Sequence, residues 1–114
     1  MSIITKIAGS VLVVSLEGEL MGGPEADEFR RVIDEALSKG INQVIVDMAR
    51  VGWMNSSGQG MLVGALATLR SSGGDLKLVN LSERVRRPLQ LTRLDSVFEH
   101  FDSVEEAVKT FAPA

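Results

Sequence analysis

Residues 44–69, VIVDMARVGWMNSSGQGMLVGALATL, decide the fold of this chain. The stretch opens on Val44-Ile45-Val46, a β-branched run typical of a strand that is buried on both faces. Apolar residues then recur at helical spacing, at Met61, Leu62, Ala65, Leu66 and Leu69. The stretch therefore predicts a central strand that ends at Asp47, a short loop containing Asn55–Gly60, and a long helix.

Two short apolar runs, residues 3–6 and 11–16, lie ahead of this stretch and are separated by Ala8-Gly9-Ser10. A turn this short joins only antiparallel strands, so a hairpin is predicted. A helix should follow from Pro24, because proline fits the first helical turn, and should end at about Lys39. Its apolar residues share one face, namely Ala26, Phe29, Ile33, Ala36 and Leu37.

The remaining elements alternate in type. They are a strand over 75–79, a helix over 82–92, a strand within 96–101 and a helix that begins near 103. We expect Pro88 to kink or shorten the third helix, and Val85, Leu89 and Leu91 to face inward. The order β-β-α-β-α-β-α-β-α predicts an α/β fold, in which parallel strands and the hairpin form a small mixed sheet packed with about four helices.

The composition excludes several classes of protein. The length of 114 residues suits one domain, expected to span 1–114. The net charge of −3 argues against a nucleic-acid partner, since phosphate binding requires a basic face. The sequence shows neither a signal peptide nor an apolar run of about 20 residues, so we expect a cytoplasmic location and no membrane insertion. Cysteine is absent and His100 is the single histidine, so no metal site and no cofactor are indicated.

Serine 56 is the residue that we single out for function. As the N-cap of the long helix, Ser56 would form an S-x-x-Q capping box with Gln59, a purely structural role. Asn55 or Ser57 would cap instead if the helix began one residue away. The same position also suits a phosphate, because a helix N-terminus offers free N–H groups and a positive dipole end. Nearly two added negative charges would repel a partner that docks there through apolar contacts.

The sequence resembles a known family at three places. They are Gly18-Glu19-Leu20, the strand Val44–Asp47 that ends in aspartate, and the motif M-x-S-S-G-x-G-x-L from Met54 to Leu62. These features resemble the anti-sigma factor antagonists of the STAS domain class, and the resemblance covers essentially the whole chain. It implies a single STAS domain that acts as a bacterial, cytoplasmic switch protein.

The resemblance also implies the partners and the site. The unphosphorylated form would bind an anti-sigma factor, a serine kinase of the GHKL type, and so release a sigma factor. That kinase would phosphorylate Ser56 and end the complex, and a PP2C-type phosphatase would reset it. The residues implied at the partner-binding surface are Met21, Gly22, Gly23, Asn55, Ser56, Ser57, Gly58 and Gln59.

Two positions depart from the family pattern. The family has aspartate directly before the phosphorylated serine and commonly after its GEL or GEI, whereas this chain has Asn55 and Met21. Asparagine keeps the ability to cap a helix but lacks the charge. The alternative function is therefore a STAS module that binds a partner without phosphorylation, such as a stressosome-like scaffold or a transporter accessory subunit.

Three further alternatives have less support from the residues. A dinucleotide loop at Gly58 would lie well beyond the predicted end of the strand, although that fingerprint requires an immediate turn. A nucleophilic Ser56 lacks a nearby base, since nothing places His100 beside it. A phospho-receiver would use Asp47 but leave the serine-glycine loop unexplained. We therefore expect a protein that is not an enzyme.

Overall fold

The computed structural model describes residues 2–111. The elements follow one another as predicted, with strands and helices alternating after an N-terminal hairpin. The strands are β1 (Ser2–Ala8), β2 (Val11–Leu20), β3 (Gln43–Met54), β4 (Asp75–Val79) and β5 (Glu99–Phe101). The helices are α1 (Pro24–Ser38), α2 (Ser56–Ser71), α3 (Glu83–Leu91) and α4 (Val104–Lys109). Across residues 2–111, none of these helices has the length and the apolar run that a membrane crossing requires.

The five strands form one sheet in the order β1-β2-β3-β4-β5. The β1 strand pairs antiparallel with β2 through a turn at Gly9 and Ser10, and Gly9 takes a positive φ of 64° that suits glycine. The pairs β2–β3, β3–β4 and β4–β5 are all parallel. The predicted mixed sheet is therefore confirmed.

The central strand is longer than predicted, and Asp47 does not end it. Beyond Asp47, β3 continues in parallel pairing with β2 until Leu20 lies opposite Met54. The pairing contains two shifts in register. Val51 and Met54 in this extension are buried beneath the helices. The apolar pattern of a strand is interrupted at Ala49-Arg50, which is why the sequence indicated a loop. Only Asn55 separates β3 from α2.

Helices cover the two faces of the sheet unequally. The larger core combines one face of β2, β3 and β4 with residues of α1, α2 and α3, including Phe29, Leu62 and Val85. The opposite face carries a smaller cluster in which Ala107 of α4 packs on Val13 and Ile45. Because α4 has only six residues, it covers part of that face.

Two details of the C-terminal half differ from expectation. The α3 helix continues through Pro88 to Leu91. Val85 and Leu89 are buried as predicted, but Leu91 is 75% exposed, so its inward placement was wrong. The last helix begins as predicted, since the Ser103 hydroxyl accepts a hydrogen bond from the Glu106 N–H at 3.1 Å.

A buried ammonium group ties α4 to the sheet. The Lys77 side chain is 6% exposed, and its Nζ lies 3.0 Å from Glu99 Oε2. The same Nζ donates a hydrogen bond to Thr110 Oγ1 at 2.6 Å and sits 4.1 Å from the centre of the Phe111 ring. One lysine therefore joins β4, β5 and the end of the described chain.

Glu99→Gln should destabilise the protein by about 1–2 kcal/mol, because a buried charge loses its only carboxylate partner among residues 2–111. Glu35→Gln is the control, since the exposed Glu35–Lys39 pair should contribute at most about 0.5 kcal/mol. Urea unfolding of both variants measures the difference. Equal losses in the two variants would show that the Lys77 pair has no special role.

Candidate functional site

The site lies where the parallel strands β2 and β3 end side by side. Leu20 and Met54 are the last paired residues, and both side chains are buried. The Asn55 N–H donates a hydrogen bond to the Leu20 carbonyl oxygen at 3.1 Å, which holds the two strand ends together. The start of α2 is thereby fixed at the carboxyl edge of the sheet, where open α/β sheets commonly bind their ligands.

Asn55, and not Ser56, is the N-cap of α2. Its Oδ1 accepts a hydrogen bond from the Gly58 N–H at 2.8 Å, and its own carbonyl oxygen accepts one from the Gln59 N–H at 3.0 Å. The capping box considered between Ser56 and Gln59 is therefore absent, and the alternative in which Asn55 caps the helix is confirmed. Asparagine caps a helix as well as serine does, so once β3 runs to Met54 the cap falls on the next residue.

Because Asn55 caps α2, the Ser56 side chain has no part in the helix cap. Ser56 and Ser57 occupy the first two positions of α2, and both are exposed. Within residues 2–111, the Ser56 hydroxyl makes no hydrogen bond, and the first turn of α2 contains no acidic residue. The Ser56 hydroxyl is thus free to react, at the positive end of a helix of 16 residues.

Glycine at position 58 is required by packing. A Cβ atom placed there would lie 2.2 Å from the Leu20 carbonyl oxygen and 2.8 Å from the Leu20 carbonyl carbon. Gly58 is buried and allows α2 to approach β2 closely. Nothing lies within 4 Å of a Cβ atom added at Gly60, so packing requires glycine at position 58 but not at position 60. Gly58, which was expected at the partner-binding surface, therefore serves helix–strand packing.

The Met21–Gly23 segment lies directly against the start of α2. The Asn55 Nδ2 donates a hydrogen bond to the Met21 carbonyl oxygen at 3.3 Å. A Cβ atom on Gly22 would lie 2.8 Å from the Ser57 Cβ, and Gly22 takes a positive φ of 83°. The two positions that depart from the family pattern, 21 and 55, are therefore hydrogen-bonded neighbours. An aspartate at position 55 would have no donor for this bond.

Gln59 faces the interior. It is 7% exposed, and its Oε1 accepts a hydrogen bond from Thr92 Oγ1 at 3.1 Å. Thr92 caps the C-terminus of α3, so this bond connects the first turn of α2 to the end of α3. Of the eight residues expected at a partner surface, Met21, Gly23, Ser56 and Ser57 are exposed, Asn55 is half-buried, and Gly22, Gly58 and Gln59 are buried.

The exposed apolar residues of this region are Met21 and Trp53. Met21 is 44% exposed, as expected of a residue at a partner surface, and Trp53 is 38% exposed. Trp53 immediately precedes the buried Met54 but lies outside the larger core. Val51 and Met54 belong to the larger core.

Asp47 and His100 are the residues that the alternative chemistries would use. Asp47 Oδ1 accepts hydrogen bonds from the Ala49 N–H and Asn80 Nδ2, both at 3.0 Å. His100 is exposed on β5. Within residues 2–111, no three acidic or histidine side chains come together as metal ligands would.

Gly58 follows the central strand more closely than predicted. It lies four residues after the end of β3, so spacing alone does not exclude a dinucleotide loop. Its contact with Leu20 nevertheless accounts for the glycine, because the space that a phosphate would need is filled by the backbone of β2.

Asn55→Ala should cost about 1 kcal/mol of stability, since it removes the cap of α2. Asn55→Asp should retain the cap and lose only the hydrogen bond to Met21. Thermal unfolding reports the cap, and amide hydrogen exchange at residues 21–23 reports the second bond. We expect Asn55→Asp to unfold like wild type while residues 21–23 exchange faster. Unchanged exchange in both variants would show that Asn55 does not hold that segment.

Comparison with known proteins supports the family inferred from the motif. The STAS domain model matches residues 2–107. An anti-sigma-B factor antagonist of Staphylococcus epidermidis is 30% identical over 78 residues, covering 68% of this chain and 72% of that protein.

Solved structures agree in fold. A crystal structure from Thermotoga maritima, of a protein provisionally named an anti-sigma factor antagonist, superposes with a TM-score of 0.85 at 33% identity, covering 94% of this chain and 92% of that one. The phosphorylated form of SpoIIAA, a Bacillus cell fate determinant, gives a TM-score of 0.73 at 25% identity, covering 95% and 97%. The resemblance found in the sequence is thus confirmed, and the chain belongs to the STAS domain family.

Proposed function

We propose that this protein is an anti-sigma factor antagonist whose binding is switched off by phosphorylation of Ser56. The unphosphorylated form binds an anti-sigma factor that is also a GHKL-type serine kinase, which frees a sigma factor. A PP2C-type phosphatase restores the binding form. The protein itself acts by binding and performs no catalysis.

One observation carries this proposal: Ser56 is an exposed hydroxyl at a helix N-terminus that the helix does not use. A capping serine would have its oxygen occupied by a backbone N–H, but here Asn55 does the capping. The hydroxyl can therefore be modified without loss of the cap. A phosphate at this position is tolerated by the folded domain, because the dipole of α2 favours negative charge at its first turn.

The surroundings of Ser56 suit a binding surface. The Met21–Gly23 segment touches Asn55 and Ser57, and Met21 is an exposed apolar side chain. A partner that contacts Met21 and the start of α2 would have to accept close to two added negative charges after phosphorylation. Because the cap and the strand ends are unchanged, the switch requires no unfolding.

The names of relatives point in the same direction. The Staphylococcus epidermidis relative is named an antagonist of the anti-sigma-B factor, and SpoIIAA has been solved in a phosphorylated form. These names describe those proteins. They support, for this chain, a partner that is an anti-sigma factor and a modification by phosphate.

Incubation of the purified protein with its cognate anti-sigma factor and ATP, followed by phosphosite mapping, tests the proposal. We expect one phosphate, located on Ser56, and none on the Ser56→Ala variant. Ser57→Ala is the matched control, and it should be phosphorylated like wild type. A phosphate found on Ser57 in the wild-type protein would show that the wrong serine has been assigned.

The second candidate is a STAS module that binds its partner constitutively. The observation that favours it is the pair of departures from the family pattern at Met21 and Asn55. At position 55 an amide stands where the family has a carboxylate, and this amide donates a hydrogen bond to the Met21 carbonyl oxygen. A kinase that requires the carboxylate would not act on this chain. Stable binding to an anti-sigma factor without any phosphate transfer would support this candidate over the switch.

A further inference from the structure

The outer edge of β1 is open and carries few of the features that normally keep sheet edges apart. Native edge strands are usually short, bulged, or interrupted by proline or charge. The other edge strand, β5, has only three residues, whereas β1 has seven and pairs with β2 without a shift in register. Its sequence, SIITKIA, contains no proline or glycine and a single charge, at Lys6.

The turn determines which backbone groups of β1 point outward. With two residues in the turn, Ala8 and Val11 form the first hydrogen-bonded pair of the hairpin. Hydrogen-bonded and non-bonded pairs then alternate along an antiparallel ladder. The N–H and C=O groups of Ile3, Thr5 and Ile7 are therefore directed away from β2, and no partner for them lies within residues 2–111.

The side chains of the same three residues share one face. Ile3, Thr5 and Ile7 lie opposite Leu16, Val14 and Leu12, which belong to the larger core. Ile7 is 56% exposed and lines a groove of about 340 Å³ between β1 and α1. Its lining includes the apolar residues Val32 and Ile41 together with the charged residues Glu35 and Lys39. The edge thus combines unpaired backbone groups with a partly apolar groove.

We propose that a second copy of this chain pairs with β1 in antiparallel fashion, about a twofold axis at Thr5. In this register, Thr5 pairs with Thr5 of the second copy, and Ile3 pairs with Ile7. All three outward-directed residues of each strand then find hydrogen-bonding partners. Among the residues of β1, 2–8, a register centred elsewhere would leave at least one of them unpaired. The two five-stranded sheets become one continuous sheet.

Packing and charge agree with this register. Ile3 of the second copy covers the exposed Ile7 at the mouth of the groove, so that each apolar pair is formed twice. On the other face, Lys6 lies opposite Ile4 of the second copy and not opposite a second lysine. Like charges placed directly opposite each other would be destabilising. Ile4 is 57% exposed in the single chain and gains the aliphatic stem of Lys6 as cover.

Sedimentation equilibrium over a range of protein concentrations tests the proposal. Wild type should change from monomer to dimer as concentration rises. Thr5→Pro removes an outward N–H that the hairpin does not use and should raise the dimer dissociation constant at least about tenfold, while Thr5→Val keeps the N–H and should dimerise like wild type. A wild-type protein that stays monomeric, or a Thr5→Pro protein that still dimerises while folded, would overturn the proposal.

A second pair of variants covers the case in which Thr5→Pro fails to fold. Ile7→Lys places two charges in the proposed interface and should abolish the dimer, whereas Leu91→Lys changes a residue that is 75% exposed elsewhere and should leave it intact. Because the chain has no cysteine, Thr5→Cys also gives a direct geometric readout. Two such residues about 5.5 Å apart across the axis should oxidise to a disulfide-linked dimer, and Ala67→Cys on α2 should not. Equal cross-linking of both variants would contradict the proposed axis.

Discussion

Gly58→Ala should lower the free energy of unfolding by about 3 kcal/mol, at the upper end of what overpacking a buried site costs. The added Cβ would lie 2.2 Å from the Leu20 carbonyl oxygen and 2.9 Å from the Leu20 Cβ. Two of the three nearest atoms belong to the backbone of β2, so a change of side-chain rotamer cannot relieve the contact. The start of α2 must move away from the strand, which also strains the Asn55 cap.

Thermal unfolding measures this effect, which corresponds to a fall in Tm on the order of 10 °C. Gly60→Ala is the matched control within the same motif, since nothing lies within 4 Å of its added Cβ. Alanine is the better helix former, so this variant should gain up to about 1 kcal/mol. A Gly58→Ala protein that melts with wild type would mean that α2 does not contact β2 as closely as the structure shows.

Ser56→Asp should weaken binding to the anti-sigma factor at least about tenfold, because a charge facing an apolar contact costs more than the 1.4 kcal/mol that this factor represents. The domain itself should be at least as stable as wild type, since an acidic residue in the first turn of α2 favours the helix. Titration calorimetry measures the affinity, and thermal unfolding shows that the fold is intact.

Ser56→Ala and Ser57→Asp complete this experiment. Ser56→Ala lacks the hydroxyl but adds no charge, so it should bind like wild type. Ser57 is exposed at the next helical position, about 100° around α2, and lies beside Gly22. A charge at position 57 should weaken binding less than a charge at 56. If Ser56→Asp binds as tightly as wild type, repulsion by charge is not the mechanism.

The sequence predicts those parts of the fold that depend on local chemistry. Gly9 marks the hairpin turn, Pro24 begins α1, and Ser103 caps α4, each because the residue type favours one backbone conformation. The order of strands and helices follows from alternating periods of hydrophobicity. The parallel neighbours follow from the connections between them, and the structure has both as predicted.

The features that the sequence did not predict depend on contacts between distant residues. The extension of β3 beyond Asp47 rests on pairing with β2, more than 30 residues earlier in the chain. Ala49 and Arg50 are exposed there, so no apolar period marks the strand. Since the strand end decides which residue caps α2, the error at Asp47 left Ser56 as the first candidate for the cap, with Asn55 and Ser57 as alternatives.

The site was predicted in part. The motif located Ser56 at a helix start, and the structure confirms that it is exposed there. The hydrogen bond between Asn55 and Met21 was not predicted, because nothing in the local sequence joins positions 34 residues apart. A signal was present nonetheless: both departures from the family pattern occur at positions that the structure brings into contact.

The most direct test compares one protein preparation before and after phosphorylation. The affinity of the unmodified protein for its anti-sigma factor is measured first. The protein is then phosphorylated to completion, the site is verified as Ser56 by mass spectrometry, and the affinity is measured again. We predict a loss of at least about tenfold, reversed when a phosphatase removes the group. Equal affinity of the unmodified and Ser56-phosphorylated forms would contradict the account.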